Sequence, residues 1–359
     1  MRTQGSKLTF KGQNIYVGLD VHKKSWNVTI MTEAITHKTF TQPPKPEILY
    51  EYLRRNFPEG TFHSAYEAGF CGFWIHNKLI SYGIKSIVVN PADIPTTNKE
   101  MLQKDDPRDS RKIARALCSG QLTPIYTPSQ RTLEDRAMVR TRSILVKDST
   151  RNKNRIKSFL FFHGIEIPEQ FSKAQSHWSK PFLNWLESQD LSTTSGRESL
   201  NALLAEVRNL RNTILNLTKA IQELSKNENY RENVVLLRSI PGIGLLTAMT
   251  ILVEIEDIHR FSNSEKLASF VGLIPTSFSS GEKEVIGNIT SRGNGILKRT
   301  IIESAWVTAR LDPALMHCYN DYRTRMEPNK AIIKIARKLL NRIRYVLINK
   351  RQYEVSKME

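Results

Sequence analysis

Cysteine is scarce in this chain, and its few copies form no recognisable pair. The 359 residues include three cysteines, Cys71, Cys118 and Cys318, which lie far apart and form no CxxC motif. Disulfide frameworks and structural zinc sites need cysteines that are evenly paired or clustered. The composition therefore argues against a disulfide-stapled secreted fold and a structural zinc site, and it favours a reducing compartment.

Long hydrophobic runs are also missing. The N-terminal segment MRTQGSKLTFKGQN has no apolar core of the kind that a secretory signal requires. The most apolar stretch, from Ile240 to Ile255, contains a proline and two glycines. It is shorter than the ~20 residues that cross a bilayer. We therefore expect a cytoplasmic protein that does not associate with membranes.

Acidic residues are outnumbered by basic ones. Lysine and arginine total 53 against 35 aspartates and glutamates, which gives a formal charge of +18. Two segments concentrate this excess: nine basic residues lie between Arg131 and Lys157, and ten between Arg323 and Arg351. Such an excess predicts a DNA or RNA partner, although a soluble protein that is merely basic remains an alternative. Candidate phosphate contacts in the first segment are Arg140, Lys147, Arg151 and Arg155.

The N-terminal third has the pattern of an α/β sheet with helices on its faces. The stretch IYVGLDVHKKSW, from Ile15 to Trp26, begins with a buried strand that delivers Asp20. A central strand that carries one aspartate beside a hairpin is typical of ribonuclease-H-like domains. Further strands are predicted at Trp26–Met31, Ile35–Phe40, Thr61–Ala68 and Ile84–Asn90, and helices at Pro46–Phe57, Gly72–Tyr82 and Asp106–Leu117.

The rest of the chain is predicted to be mainly helical. A basic helix at Thr132–Phe162 and a second helix at Ser199–Leu224 are expected to form a hairpin around an irregular segment, Pro168–Gly196. The second helix carries an apolar stripe from Leu203 to Ile221, which suits either a coiled-coil seam or ordinary core packing. We predict three domains: a metal-binding domain (1–125), a helical linker (126–230) and a mainly helical C-terminal domain (231–359).

Four carboxylates form the candidate catalytic centre. Asp20 and Glu67 close two predicted strands, whereas Asp106 and Asp109 lie three apart at a helix start, so both can face the same way. Clustered acids need a cation, and oxygen ligands suit Mg²⁺ or Mn²⁺. Taken singly, each acid has a structural interpretation as a turn former, a solvated residue or a helix cap. Asp105 is an alternative to Asp106.

A related strand opening occurs in sugar kinases and actin-like ATPases. Those proteins need a glycine soon after the aspartate to approach phosphate, whereas VHKKSW follows here. No P-loop is present either. These two observations argue against nucleotide hydrolysis.

Several motifs together resemble one known family. YVGLDVHKKSW, YEAG at Tyr66–Gly69, KDDPRDS at Lys104–Ser110, LLRSIPGIGLLTA and FVGLIPTSFSSGEKEVIGNITSRGNGILKR are similar to the DEDD-type transposases of insertion-sequence family one-ten, whose relatives include the Piv-type DNA invertases. The resemblance covers both ends of the chain and leaves roughly Pro168–Gly196 unmatched. Asp105-Asp106-Pro107 departs from the Thr-Asp-Arg that is usual in the family. The additional acid leaves both Asp105 and Asp106 as candidate metal ligands.

The resemblance implies a ribonuclease-H/RuvC-like N-terminal domain and an essential serine in the C-terminal domain that attacks DNA to form a phosphoserine link. Ser280 is our choice for this nucleophile and Ser279 the alternative, although Ser-Ser-Gly is otherwise an ordinary turn. The resemblance further implies guidance by a structured non-coding bridge RNA, with the element ends and the target as DNA partners.

Two glycine-containing segments supply further candidate phosphate contacts. The turn with Gly242 and Gly244 resembles that of a helix-hairpin-helix, where backbone N–H groups bind phosphate, but it also suits a tight packing turn. Arg292, Lys298 and Arg299 lie beside glycines farther on.

We therefore predict a magnesium-dependent transposase that works as a homo-oligomer, a dimer or a tetramer, because recombination holds at least two duplexes together. A RuvC-like nuclease or junction resolvase, a Piv-type invertase and a non-catalytic nucleic-acid-binding protein are the alternatives.

Overall fold

The computed structural model describes residues 9–95, 106–173, 176–280 and 283–355, without the side chains of residues 106, 107, 277–280 and 283–286. The chain divides into two compact units, Met1–Thr127 and Pro128–Glu359. Among the described residues, no helix is long and apolar enough to cross a membrane.

The first unit is built on a five-stranded mixed sheet with the order β3-β2-β1-β4-β5. Strand β1 pairs antiparallel with β2 and parallel with β4. Strands β2 and β3 are antiparallel, and β4 and β5 are parallel. The strands are β1 (Asn14–Val21), β2 (Trp26–Met31), β3 (Thr36–Gln42), β4 (Thr61–Glu67) and β5 (Lys85–Val89), and the helices are α1 (Pro46–Asn56), α2 (Trp74–Ser81) and α3 (Asp106–Cys118).

The two faces of this sheet have different coverings. Side chains alternate between faces along a strand, and the odd-numbered residues Ile15, Val17 and Leu19 of β1 are buried in a core with α1 and α2. Helix α3 belongs to a second core, in which Ile113 packs with Ala65 of β4. The even-numbered residues of β1 therefore face α3.

The second unit is mainly helical. A long helical hairpin, α4 and α6, leads into a C-terminal bundle, and one antiparallel hairpin, β6 and β7, interrupts that bundle. The elements are α4 (Gln130–Phe162), α5 (Lys180–Glu187), α6 (Thr194–Leu224), α7 (Glu228–Arg238), α8 (Leu245–Ile255), α9 (Ser264–Val271), β6 (Pro275–Ser280), β7 (Lys283–Ile289), α10 (Gly295–Leu311), α11 (Pro313–Arg323) and α12 (Pro328–Asn349).

Helix α6 buries most of its apolar stripe within its own chain. Leu204 and Val207 join Ile156 and Leu160 of α4 in a shared core. The side-chain amide of Asn152 on α4 donates to the carbonyl oxygen of Leu203 at 3.0 Å. The core-packing interpretation therefore accounts for this part of the stripe.

Three parts of the C-terminal half differ from the sequence-based prediction. The segment Pro168–Gly196 is not wholly irregular, because it contains α5, whose Phe182 is completely buried against Phe171 and Trp185. The motif that contains Ser279 and Ser280 forms strands β6 and β7, whereas no strand was predicted there. Helix α11 was not predicted, although Asp312 caps it by accepting a hydrogen bond from the backbone N–H of Leu315.

Candidate functional site

Gly18 sets how closely helix α3 packs on the central strand. A Cβ atom at this position would overlap the carbonyl oxygen of Ser110 and the backbone nitrogen of Ala114. The Ser110 side chain is buried and lies 2.8 Å from the hydroxyl of Thr29 on β2. The helix backbone therefore rests directly on the strand, and Asp109, next to Ser110, is carried to the same face of the sheet.

Asp20 and Glu67 lie side by side on the adjacent parallel strands β1 and β4. Leu19 of β1 is registered with Tyr66 of β4, and each acid is the next residue of its strand. Both therefore lie at the carboxyl-end edge of the sheet. Because Leu19 and Tyr66 face the core with α1 and α2, alternation places Asp20 and Glu67 on the face of α3.

Basic side chains accompany two of these acids. The Nε2 atom of His22 lies 3.0 Å from Oδ2 of Asp20, and Nζ of Lys112 lies 3.5 Å from Oδ1 of Asp109. The side chains of Asp20 and Asp109 are 19% and 25% exposed. Both carboxylates are thus largely shielded from water yet remain reachable from solvent.

The donor chemistry of the predicted set fits a hard divalent ion. All four candidate ligands are carboxylates, and an all-oxygen set suits Mg²⁺ or Mn²⁺. Asp106 begins the described part of α3, as predicted, but its side chain lies outside the described residues. Within the described part of the chain, no three His, Cys, Asp or Glu side chains form a group that would hold an ion. Asp105, the alternative, also lies outside the described residues.

The predicted nucleophile lies at the end of strand β6. Ser279 pairs with Glu284, and Ser280 pairs with Lys283 across the hairpin. These serines end a strand, whereas the structural interpretation of Ser-Ser-Gly was an ordinary turn. Their side chains are outside the described residues, so the choice between them stays a prediction.

The two glycines of the predicted phosphate-binding turn have different surroundings. Gly242 has a φ of +87°, and a Cβ atom there would lie 2.6 Å from the hydroxyl oxygen of Thr308. That hydroxyl donates to the carbonyl oxygen of Pro241 at 2.7 Å. Gly244 has no described atom within 4 Å of its would-be Cβ and precedes the first residue of α8. Packing alone therefore explains Gly242, and open space beside the helix start distinguishes Gly244.

Lys298 has a structural role inside its own loop. Its Nζ donates to the carbonyl oxygen of Thr290 at 2.7 Å, and that of Arg292 lies at 3.5 Å. Arg292 and Arg299 are exposed. The two arginines present their side chains to solvent, whereas the ammonium of Lys298 holds the loop before α10.

The basic helix α4 is divided between structural and exposed arginines. Arg140 donates two hydrogen bonds of 2.7 Å to Glu254, whose side chain is 1% exposed. Lys147, Arg151 and Arg155 are exposed, and Arg151 also pairs with Asp148 at 2.8 Å. The predicted nucleic-acid contact of Arg140 thus stays a prediction for a side chain that already has a buried partner.

Sequence reasoning did not find the role of Glu254. Its carboxylate accepts hydrogen bonds from Arg140 and from the side-chain amide of Asn294. The amide oxygen of Asn294 in turn accepts from the backbone N–H groups of Ile296 and Leu297 in the first turn of α10. Burial raises the pKa of Glu254, but the hydrogen bonds and positive charges of its partners outweigh burial and lower it overall. The available signal was a lone acid within the apolar run ILVEI.

Two family models match the chain. The model described as the transposase IS116/IS110/IS902 family matches residues 234–320, and a transposase model of the DEDD, IS110 type matches residues 17–163. The chain is 26% identical to the transposase for insertion sequence element IS1533 of Leptospira borgpetersenii over 299 residues, which cover 82% of this chain and 85% of that protein.

Two further relatives extend the comparison. The transposase for insertion sequence element IS1111A of Coxiella burnetii is 27% identical over 275 residues, or 77% of this chain and 71% of the relative. A 43.6 kDa protein of insertion element IS110 from Streptomyces coelicolor is 35% identical over 107 residues, 30% of this chain and 26% of the relative. The DEDD match contains Asp20, Glu67, Asp106 and Asp109, and the IS116/IS110/IS902 match contains Ser280.

Proposed function

Because the chain belongs to the IS110 family of DEDD transposases, we propose that it cuts and rejoins DNA at the ends of its own mobile element with a metal-bound DEDD site and a serine nucleophile. As a DNA transposase of the DEDD type, the enzyme depends on a divalent metal ion. The observation that carries the proposal is the packing of α3 on Gly18, which brings Asp109 to the sheet face that bears Asp20 and Glu67.

The sheet supports a ribonuclease-H/RuvC-like interpretation of the first unit. Three antiparallel strands followed by two parallel ones, in the order β3-β2-β1-β4-β5, suit that fold, with the first acid on the central strand. The second unit supplies the serine, and the turn at Gly242–Gly244 is the candidate helix-hairpin-helix element. We retain the three domains predicted from the sequence as part of this proposal.

The four carboxylates are the proposed ligands of Mg²⁺, with Mn²⁺ as the alternative. When bound, such ions polarise the scissile phosphate and stabilise charge on its oxygens. Asp20 and Glu67 would contribute ligands from fixed strand ends, and Asp106 and Asp109 from the first turn of α3. Asp20 shares a hydrogen bond with His22, and Asp109 lies within ion-pair distance of Lys112.

Ser280 is the proposed nucleophile. Its hydroxyl would lose a proton as Oγ bonds to phosphorus, and the phosphorus–oxygen bond to the departing strand would break. The departing oxygen would gain a proton and end that strand as a hydroxyl, leaving the other DNA end linked to the serine. The β6–β7 register supports a fixed position for this residue at the hairpin end.

A guide RNA and a homo-oligomer complete the proposal. The charge of +18 and the exposed Lys147, Arg151 and Arg155 suit a polyanionic partner beyond the DNA itself. Ile144, 55% exposed on α4, leaves apolar surface for another copy. Mixing Asp20→Ala protein with Ser280→Ala protein tests whether the acids of one chain act with the serine of another. Partial recovery of strand exchange supports an active site shared between chains. No recovery, when the two mutants are shown to co-assemble, places each active site within one chain.

Strand exchange on a substrate that carries the element ends tests the function. Asp20→Ala, Ser280→Ala and excess EDTA should each abolish exchange, with DNA affinity retained. If Ser280→Ala protein still cleaves DNA, a RuvC-like nuclease is the better interpretation. If no cleavage occurs with any protein, although all bind, the chain is a nucleic-acid-binding protein. Full exchange in excess EDTA would refute the metal site.

A further inference from the structure

A cavity of about 280 Å³ opens on the helical hairpin, away from the proposed catalytic residues in sequence. Its apolar lining includes Leu183, Val207 and Ile214, and its basic lining consists of Lys153 and Arg211. None of the described residues that line it is acidic. Small-molecule pockets measure roughly 300–1,000 Å³, so this cavity lies near the lower end of that range and has room for one small group.

Trp178 holds its indole at the cavity in a strained backbone conformation. Its φ of +64° lies in the left-handed region, which bulky residues rarely adopt. The ring packs edge-on against Phe182 at 5.3 Å, and Nζ of Lys153 lies 5.3 Å from the ring centroid. One face of a positioned aromatic ring is thus covered by the ammonium group of a flexible side chain.

The charges around the cavity favour an anion. Burial lowers the pKa of Lys153, and the positive charges of Arg211 and Lys157 lower it further. An anionic group between Lys153 and Arg211 would reduce this repulsion. A ligand that combines a planar apolar group with a negative charge therefore matches both halves of the cavity.

The same face of α4 continues toward the end of the helix. Residues 153, 157 and 161 follow one another at helical spacings of four, so Lys153, Lys157 and Phe161 lie along one side. Phe161 and Phe162 are 89% and 84% exposed, and together with Lys157 they line a second cavity. Both aromatic and basic side chains are therefore available along this surface.

We propose that this face of α4 binds single-stranded polynucleotide, with one unpaired base stacked on Trp178 in place of the Lys153 ammonium. The phosphate of that nucleotide contacts Lys153 and Arg211, and the strand continues past Lys157 to Phe161. Aromatic platforms combined with a basic groove are how proteins hold single strands without reading sequence. The inference relies on the proposed function in taking a nucleic acid as partner, but it needs neither the metal nor the serine.

Binding of short single strands to the full chain in EDTA tests the proposed surface on α4 under conditions in which DNA is not cleaved. The probes are oligouridylate, oligothymidylate and an abasic strand of equal length. Trp178→Ala should weaken binding of the two base-containing strands roughly 5- to 150-fold, the effect of removing one stacked base–aromatic pair, whereas Trp178→Phe should largely retain it. The abasic strand should bind weakly to wild type and be insensitive to Trp178→Ala. The matched control Lys147→Gln should weaken all three probes similarly.

Unchanged affinity of a folded Trp178→Ala protein, or equal affinity for the abasic strand, would overturn the proposal. The proposal is also overturned if Trp178→Ala changes the sedimentation mass of the protein and wild type shows no base-dependent binding, because a second copy of the chain would then cover the cavity. If Trp178→Ala does not fold, strands that contain 4-thiouridine are photocrosslinked to the wild-type protein instead. Crosslinks at Trp178 or Phe161 support the proposed surface on α4, and crosslinks confined to other residues refute it.

A preference for the RNA or the DNA probe identifies the source of the strand, and either supports the proposal. The two proposals can fail separately. If the protein shows no strand exchange but still binds single strands through their bases, the proposed catalytic function is wrong and the proposed binding surface stands.

Discussion

At the scale of single residues, Gly18 ties the strand that carries Asp20 to the helix that carries Asp109. Gly18→Ala would drive a methyl group into the backbone of α3 near Ser110 and Ala114. Overpacking of this kind costs about 1–3 kcal/mol, and relief by shifting α3 would displace Asp109. We expect a lower unfolding temperature of the first unit and a loss of metal-dependent cleavage.

Calorimetry and cleavage assays on the whole chain measure both effects. Gly69→Ala is the matched control, since the nearest described atom to its added carbon is the carbonyl oxygen of Glu67 at 4.0 Å. Wild-type cleavage by a stable Gly18→Ala protein would show that the close packing of α3 does not position the acids.

Glu254 provides the corresponding test in the second unit. Removing one partner of a buried ion pair costs about 3–5 kcal/mol, so Glu254→Gln should destabilise this unit strongly. Asp148→Asn, which breaks the exposed pair with Arg151, should cost less than about 1 kcal/mol. Thermal unfolding of both variants makes the comparison, and equal effects would contradict the structural role of Glu254.

The pH dependence of this stabilisation has a defined sign. Because the folded-state pKa of Glu254 lies below its unfolded value, the stabilisation is fully present above the unfolded pKa, about 4.3. It is lost as the pH falls through the folded pKa. Glu254→Gln should therefore flatten the acid limb of the stability profile relative to wild type.

At the scale of elements, helix α4 carries basic side chains of two kinds: Arg140 pairs with the buried Glu254, whereas other basic side chains are exposed and available to nucleic acid. Neutralising Lys147, Arg151 and Arg155 to glutamine should weaken duplex binding and lower the slope of log affinity against log salt by up to ~0.9 for each phosphate that is no longer neutralised. Arg140 is left unchanged, because its replacement would also break the pair with Glu254. An unchanged slope would identify this part of α4 as a spacer between helices.

The elements that sequence reasoning predicted well are those with strong local patterns. Strands β1, β2 and β5 follow from runs of apolar and β-branched residues, and the helix that begins at Asp106 follows from a proline in its first turn. Strands β6 and β7 were not predicted, because PTSFSS is rich in small polar residues and KEVIGNI is a short run interrupted by a glycine and an asparagine. Their pairing depends on the register between the two strands, which includes a hydrogen bond of 3.0 Å from the Thr276 hydroxyl to the carbonyl oxygen of Asn288.

The candidate site was predictable in part for the same reason. Asp20 and Glu67 lie at strand ends, which periodicity reveals, and the spacing of Asp106 and Asp109 suits one helix face. The pairing of Arg140 with Glu254 joins residues 114 positions apart and left no local signal in the basic segment. The cavity beside Trp178 likewise depends on how α4, α6 and the segment before α5 meet.

At the scale of the whole molecule, the proposed chemistry needs both units. Asp20 belongs to Met1–Thr127, and Ser280 belongs to Pro128–Glu359. Each family match covers one of them, residues 17–163 for the acids and 234–320 for the serine. A transposase that uses the two together should fail when either is removed, whereas a nuclease needs the acids alone.

Covalent trapping of DNA on the protein tests this central claim most directly. The full chain is incubated with Mg²⁺ and DNA carrying the element ends, then denatured and digested, and the peptides are analysed by mass spectrometry. The proposal predicts a nucleotide joined by a phosphodiester to Ser280 that is absent in EDTA and in Asp20→Ala protein. DNA cleavage by wild type with an unmodified Ser279–Ser280 peptide, together with undiminished cleavage by Ser280→Ala, would contradict it.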